Sequence, residues 1–397
     1  MRIGIDGACL ANRRGFGRFA RQMVEALAKA GSGHEFVVFV DGPSAVSVSL
    51  PEGMERVVVA MGEAPSVAAS AQGRRRFGDM VAMSRAMARS RLDVTYFPAS
   101  YSFVPVWNAG RVVVTMHDTL ALAHPEWVFP NWRGKLAWRA KEQAAALWAD
   151  RIVTVSEAAR RDLLAWFHLP DDRVRVVSEG PDAAFTPGDE GASTDAALSR
   201  HGVEPGSRYL LYVGGLSPHK NLLRLIEAFA LGAPTETHLI LVGDLGDVFH
   251  THVPALRQAV AHFELGDRAR FTGFVPDADL AQLYRRAYAL VQPSLMEGFG
   301  LPPVEAMACG TPVLCSTAGS LPEVVGDAGL FFDPTNVEAM TNAIAALLAR
   351  PEERDRLAGL ALARSKRFTW AAAARSLLDC FEELDPALGP SKLGRSA

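Results

Sequence analysis

The densest chemistry in the sequence is the string Glu297-Gly298-Phe299-Gly300-Leu301-Pro302-Pro303-Val304-Glu305, directly after the apolar run Ala289–Gln292. Gly298 and Gly300 have no Cβ, so backbone can come close to a ligand there. Pro302 or Pro303 suits the first turn of a helix, and Gly310 suits its end. The string thus brings free backbone N–H groups and two carboxylates to one helix N-terminus. Such N–H groups hold phosphate oxygens or sugar hydroxyls. Glu305, read as lying in that first turn, is placed to hydrogen-bond vicinal hydroxyls such as those of a ribose. The plainer alternative is that both glutamates only complement the helix dipole.

Two further strand-end strings carry ionisable groups. Val213-Gly214-Gly215-Leu216-Ser217-Pro218-His219-Lys220-Asn221 follows the run Tyr209–Val213. Its glycines permit a tight turn, and Lys220 at the next helix start can neutralise a diphosphate. A leaving diphosphate gathers negative charge in the transition state, so a fixed cation lowers the barrier. A surface lysine after a turn is the alternative. His117-Asp118 follows the run Arg111–Thr115, and a histidine there can exchange hydrogen bonds near neutral pH, or simply cap the strand half-buried. Asp277-Ala278-Asp279 has the Asp-x-Asp spacing of some metal sites, but it opens a predicted helix, where aspartates cap. Ser156 reads as a helix cap in the same way.

The elements that must position these groups alternate along the whole chain. Apolar runs at Arg2–Asp6, Phe36–Val40, Arg56–Ala60, Asp93–Phe97, Arg111–Thr115, Arg151–Val155 and Val174–Ser178 are separated by amphipathic stretches such as Phe16–Ala30 and Trp132–Trp148. The segment from Gly180 to Gly206 breaks the rhythm with Pro181, Pro187 and Pro205 and reads as a linker. Strands then resume at Tyr209–Val213, Leu239–Val242, Ala269–Thr272, Ala289–Gln292, Pro312–Cys315 and Leu330–Phe332. Near-continuous apolar strands between helices indicate parallel sheets covered on both faces. The expected fold is α/β, with two tandem Rossmann-like domains facing a cleft. The predicted limits are 1–185 for an acceptor-side domain and 186–369 for a donor domain. A helix over 370–388 is expected to pack back on the first domain, and 389–397 form a tail.

Composition excludes several classes. The 397 residues are 49% hydrophobic and 21% charged, with a formal net charge of −3, so no global field attracts nucleic acid or a membrane. No run approaches the roughly 20 apolar residues of a spanning helix. Met1 to Leu10 carries Arg2 and Asp6 and lacks the shape of a signal peptide, which predicts a cytoplasmic protein. Cys9, Cys309, Cys315 and Cys380 show no metal spacing and read as buried thiols.

The pattern Glu297-x7-Glu305 with its internal Gly298-Phe299-Gly300-Leu301-Pro302 resembles the signature of retaining glycosyltransferases of the two-Rossmann (GT-B) fold, glycosyltransferase family four (group 1). The resemblance runs along essentially the whole chain. Gly4-Ile5-Asp6-Gly7 and Thr115-Met116-His117-Asp118-Thr119 are similar to bacterial mannosyltransferases of polysaccharide assembly. It implies that Glu305 binds the donor ribose, and that Glu297 lies at the donor sugar with Gly298, Phe299, Gly300 and Leu301 beside it. It implies His117 at the reaction centre, oriented by Asp118, and Lys220 at the phosphates. Gly15-Phe16-Gly17-Arg18 resembles the family's glycine-rich loop facing the donor phosphate, and Phe274 and Val275 resemble the backbone that reads the base. Where many relatives carry an arginine this sequence has Gly215, leaving His219 or Arg224 to supply a second cation. The implied reaction is metal-independent transfer of a hexose, mannose foremost, with retention. GDP-mannose is the favoured donor, no bound cofactor is expected, and the acceptor is a glycan or a lipid-linked acceptor.

The first half also holds basic and aromatic segments. Arg74, Arg75, Arg76, Arg85, Arg89 and Arg91 lie in one, and Trp127, Phe129, Trp132, Trp138 and Trp148 among Arg133, Lys135, Arg139 and Lys141 in the other. Such helices can rest on an anionic membrane face, or be a solvated basic face over core tryptophans. A sugar-nucleotide epimerase of the same fold and a non-catalytic sugar-binding protein are the competing readings. A dinucleotide dehydrogenase is disfavoured because no Gly-x-Gly-x-x-Gly follows the first strand.

Overall fold

A computed structural model describes residues 1–12, 15–62, 76–129, 131–188, 192–245 and 252–385. The chain divides into two compact units, Met1–Glu179 with Trp370–Ala397, and Gly180–Thr369. The division therefore falls at Gly180, upstream of the expected limit at 186. Arg74, Arg75 and the tail 389–397 lie outside the described residues.

The first unit is built on strands β1 (Arg2–Asp6), β2 (Glu35–Asp41), β3 (Glu55–Val59), β4 (Val94–Phe97), β5 (Arg111–Thr115), β6 (Arg151–Thr154) and β7 (Val174–Val176). They form one sheet in the order β3-β2-β1-β4-β5-β6-β7, with every pairing parallel. Central strands are shut from water on both faces, which is why Val94–Phe97 is buried at every position. The helix Gly15–Lys29 covers the sheet with Phe19, Ala20, Met23, Val24 and Leu27, recurring at helical period. The helix Trp370–Glu382 packs on that helix. Trp370 meets the Phe19 ring at 5.8 Å, and Phe381 meets Tyr96 at 5.5 Å.

The second unit has β8 (Arg208–Val213), β9 (Thr237–Val242), β10 (Ala269–Gly273), β11 (Ala289–Gln292), β12 (Val313–Ser316) and β13 (Gly329–Phe332). Its sheet runs β10-β9-β8-β11-β12-β13, again all parallel. Its core joins Leu210, Tyr212, Leu225, Phe229, Leu241, Val291 and Ile344. Both sheets reverse their winding beside the first strand, between β1 and β4 and between β8 and β11. At that reversal adjacent loops diverge at the carboxyl edge and leave a crevice for ligand.

The predicted linker is partly structured. Ala192–Arg200 is helical and packs on the helix Asp277–Arg286, with Ala197 and Leu198 buried. Its short apolar face of small residues is too weak a period to stand out among the prolines. No helix among the described residues is long and apolar enough to cross a membrane. All four cysteines are buried thiols, none in a disulfide among the described residues.

Candidate active site

In the second unit, the loops after β8 and β11 bring Lys220 and Glu297 together. Lys220 Nζ donates to Glu297 Oε1 at 2.7 Å, and the two side chains are only 16% and 12% exposed. Gln292 Nε2 and Ser294 Oγ donate to the same oxygen, each at 2.7 Å. Burial alone would push the Glu297 carboxyl up; the Lys220 charge and the hydrogen bonds from Lys220 and Ser294 outweigh it, and the group sits below the usual carboxylate range. One oxygen thus takes three donors and fixes the carboxylate as an anion. Gln292 and Ser294 were not singled out in the sequence. The available signal was a glutamine ending a fully buried apolar strand.

The backbone around Glu297 is clamped from the loop after β12. Ser320 Oγ donates to the carbonyls of Glu297 at 3.1 Å and Phe299 at 2.7 Å. Gly319 has φ 60°, and a Cβ there would stand 2.5 Å from Glu297 O, so only glycine permits this approach. Gly300 ends the loop at φ 100° and caps the helix Leu301–Ala308. Phe299 is buried, its ring edge-on to Phe368 at 5.6 Å.

Glu305 is not in the first turn. The helix begins at Leu301, after the left-handed Gly300, so Glu305 is its fifth residue and lies in the second turn. It is 1% exposed, and Oε2 accepts from Tyr284 Oη at 3.0 Å. Tyr284 comes from the helix Asp277–Arg286, a partner that sequence spacing gives no means of pairing with Glu305.

His219 is not the second cation. Burial, and then the neighbouring Lys220 charge, push its imidazole down to about 3, against a smaller opposing pull from Glu297, so it is neutral at pH 7. Its carbonyl instead accepts from Leu295 N at 2.8 Å. Arg224 donates to Asn221 Oδ1 at 2.9 Å. The buried Asn221 donates to the carbonyls of Pro293 and Pro334, tying the β8 loop to those after β11 and β13. Gly215 is exposed, and its carbonyl accepts from Tyr212 Oη at 2.5 Å. Beyond β10, Phe274 is 65% exposed while Val275 is buried. Asp277 and Asp279 lie in the first helical turn, with Pro276 rather than an aspartate at the cap. Asp279 pairs with Arg200 at 2.6 Å and His201 at 2.9 Å.

In the first unit, His117 follows β5 and is half enclosed by rings, Phe16 at 4.9 Å and Phe19 edge-on at 4.6 Å. Nε2 lies 3.0 Å from Pro98 O, and Nδ1 lies 3.5 Å from Glu179 Oε1. Pro98 and Glu179 are thus the groups at its two nitrogens, and Glu179 was not expected from sequence. Asp118 Oδ1 accepts from Leu120 N at 2.8 Å and turns the chain into the short helix Leu120–Ala123. Gly15 and Gly17 belong to the helix Gly15–Lys29 rather than to a free loop. A Cβ on Gly17 would stand 1.7 Å from Asn12 O, so its small size serves packing against the preceding turn. Ser156 caps its helix by accepting from Ala159 N at 3.0 Å. Of the exposed aromatic segment, Trp132 is 67% and Leu136 60% exposed, whereas Trp148 is half-buried and donates to Val106 O.

Two Rossmann-like units, each with an all-parallel sheet and ionisable groups on the loops at its carboxyl edge, define the GT-B class of glycosyltransferase. The family described as "Glycosyltransferase Family 4" matches residues 13–185, and "Glycosyl transferases group 1" matches residues 194–361. The chain is 34% identical over 278 residues to the O-antigen chain mannosyltransferase B of Escherichia coli, covering 69% of this chain and 71% of that protein. It is 33% identical over 256 residues to a D-inositol 3-phosphate glycosyltransferase of Frankia alni, covering 62% of each. The sucrose-phosphate synthase of Thermosynechococcus elongatus superposes with a TM-score of 0.78 at 22% identity, covering 98% of this chain and 100% of that one. The chain belongs to glycosyltransferase family 4, group 1, and is a glycosyltransferase.

Proposed function

We propose that this enzyme transfers a mannosyl group from GDP-mannose to a hydroxyl of a glycan or lipid-linked glycan, with retention at the anomeric carbon and without a metal ion. The observation that carries the donor assignment is the convergence of Lys220, Gln292 and Ser294 on one oxygen of Glu297 at the carboxyl edge of the second sheet. The other carboxylate oxygen is left to accept from donor-sugar hydroxyls. In the reaction the bond between the anomeric carbon and the diphosphate oxygen breaks, and a bond to the acceptor oxygen forms. The acceptor proton passes to the leaving phosphate. Lys220 stabilises the charge that gathers on the diphosphate, a fixed cation in a site where water competes poorly. Glu305 holds the ribose, with Tyr284 orienting its carboxylate. Mannose as the sugar is supported by the Escherichia coli relative named as a mannosyltransferase.

The test is thermal stabilisation by a panel of nucleotides and sugar nucleotides in EDTA, on the wild type and Glu305→Ala. A ligand that binds only the folded state raises the melting temperature once it exceeds its dissociation constant. GDP is expected to stabilise the wild type despite EDTA and to lose most of that effect on Glu305→Ala. A shift by UDP alone overturns the base; no shift by any nucleotide at millimolar concentration overturns the donor site.

A further inference from the structure

The proposed transfer leaves a buried acid of the first unit unused. Glu142, on the helix Trp132–Trp148, is 4% exposed and lines a cavity of about 40 Å³. Phe16, Tyr101 and Trp138 supply its aromatic wall, and His117 and Asp118 share it. Ser100 is a side-chain hydrogen-bond partner of the Glu142 carboxyl, yet Oε1 is buried with no partner at all. A buried polar atom without a partner is unfavourable, so a ligand that supplies one gains by filling that place. A cavity of this size admits the hydroxyl-bearing edge of a sugar.

Its charge selects among such ligands. Asp118 and Glu142 line the cavity, and Glu179 stands behind His117 at 3.5 Å. Facing them, among the described residues, are His117 and Lys141, whose ammonium donates to Tyr101 O and lies 5.0 Å from the Trp138 ring. Burial pushes the Glu142 carboxyl up and Asp118 adds to this, against Lys141, Ser100 and His117. A phosphate brought here would meet carboxyl groups, whereas a neutral hydroxyl can both donate to and accept from them.

We propose that Glu142 binds a hydroxyl on the edge of an uncharged pyranose acceptor and disfavours a phosphorylated acceptor. This inference rests on the glycosyltransferase reading and deepens it, setting the chain apart from the relative named for D-inositol 3-phosphate.

The experiment is a ligand-observed NMR titration of the full chain with methyl α-D-mannopyranoside and, separately, with inositol 1-phosphate. It compares the wild type, Glu142→Gln and Glu142→Leu, and GDP stabilisation is measured on the same samples. The wild type is expected to bind the mannoside about tenfold or more tightly than the phosphate. Glu142→Leu loses about tenfold in mannoside affinity with GDP stabilisation intact, while Glu142→Gln, which keeps an acceptor and a donor, stays within a few-fold. Equal mannoside affinity in wild type and Glu142→Leu overturns the inference. So does equal affinity for the phosphate, or no mannoside binding by the wild type. Loss of the GDP arm alone, with the mannoside results as expected, sinks the donor assignment and leaves Glu142 standing.

Discussion

Glu297 in the second unit and Glu142 in the first are both withdrawn from water, and burial pushes both carboxyls up. They end on opposite sides of the ordinary value of 4.5. Glu297 has a lysine and two neutral donors on one oxygen; Glu142 has Ser100, a more distant lysine, and an oxygen with nothing. Depth of burial therefore does not decide the state of an acid. The donors aimed at it do. A carboxylate fixed as an anion suits the contacts of a polar, charge-shifting donor, and a carboxyl left short of partners suits capture of a neutral group.

The largest break in this contrast is expected at Lys220. Lys220→Ala removes the cation from both the Glu297 carboxylate and the proposed diphosphate, and kcat should fall by about 10²–10³. An unchanged kcat would mean that the ion pair is only structural.

The contrast itself is read from stability against pH. Glu297 has a lowered folded pKa, so its contribution is present above about 4.5 and is lost as pH falls through the folded value. Glu297→Gln is expected to lower the urea midpoint at pH 7, with the gap closing in acid. Glu142 has the reverse sign. Its folded pKa is raised, so the native state loses stability as pH rises from about 4.5 through the folded value. Glu142→Gln should therefore raise the midpoint at pH 8 and match the wild type near pH 4. Midpoint shifts of the same sign for both variants would remove the distinction.

A smaller effect is expected at Tyr284. Tyr284→Phe deletes a hydroxyl that donates to Glu305 Oε2. A net loss of about 0.5–1.5 kcal/mol corresponds to a roughly 2- to 13-fold rise in the KM for the donor. The kcat should move little, because Glu305 is proposed to hold the part of the donor that does not react. A fall in kcat at constant KM would put Tyr284 in the chemical step.

All thirteen described strands overlap apolar runs legible in the sequence. Central strands such as β4 and β11 are apolar because both faces are buried, whereas the edge strand β3 keeps only a short valine run and is exposed at Glu55, Arg56 and Val58. The loops after β8 and β11 were legible too, since glycine, proline and charge mark strand ends. The pairing partners were not. Gln292 and Ser294 read as ordinary polar residues until the sheet sets them beside Glu297. Glu142 lies in a helix whose Arg133, Lys135, Arg139 and Lys141 suggest a solvated face, and nothing in spacing shows that this one acid turns inward. His219 looked like a cation because sequence reveals a residue type and not its burial. Glu305 falls just past the first turn because the helix starts at Leu301, directly after the left-handed Gly300 and one residue ahead of the prolines.

The helix Trp370–Glu382 completes the first unit although the whole second unit precedes it in the chain. On a ribosome the order of completion is thereby inverted. The second unit has its entire sequence in hand while Phe19 and Tyr96 still lack their covering Trp370 and Phe381. At the usual elongation rate the nascent first unit keeps that apolar seam open for roughly 10–40 s. During that interval a chaperone has a defined apolar target, and a stalled chain a defined aggregation hazard.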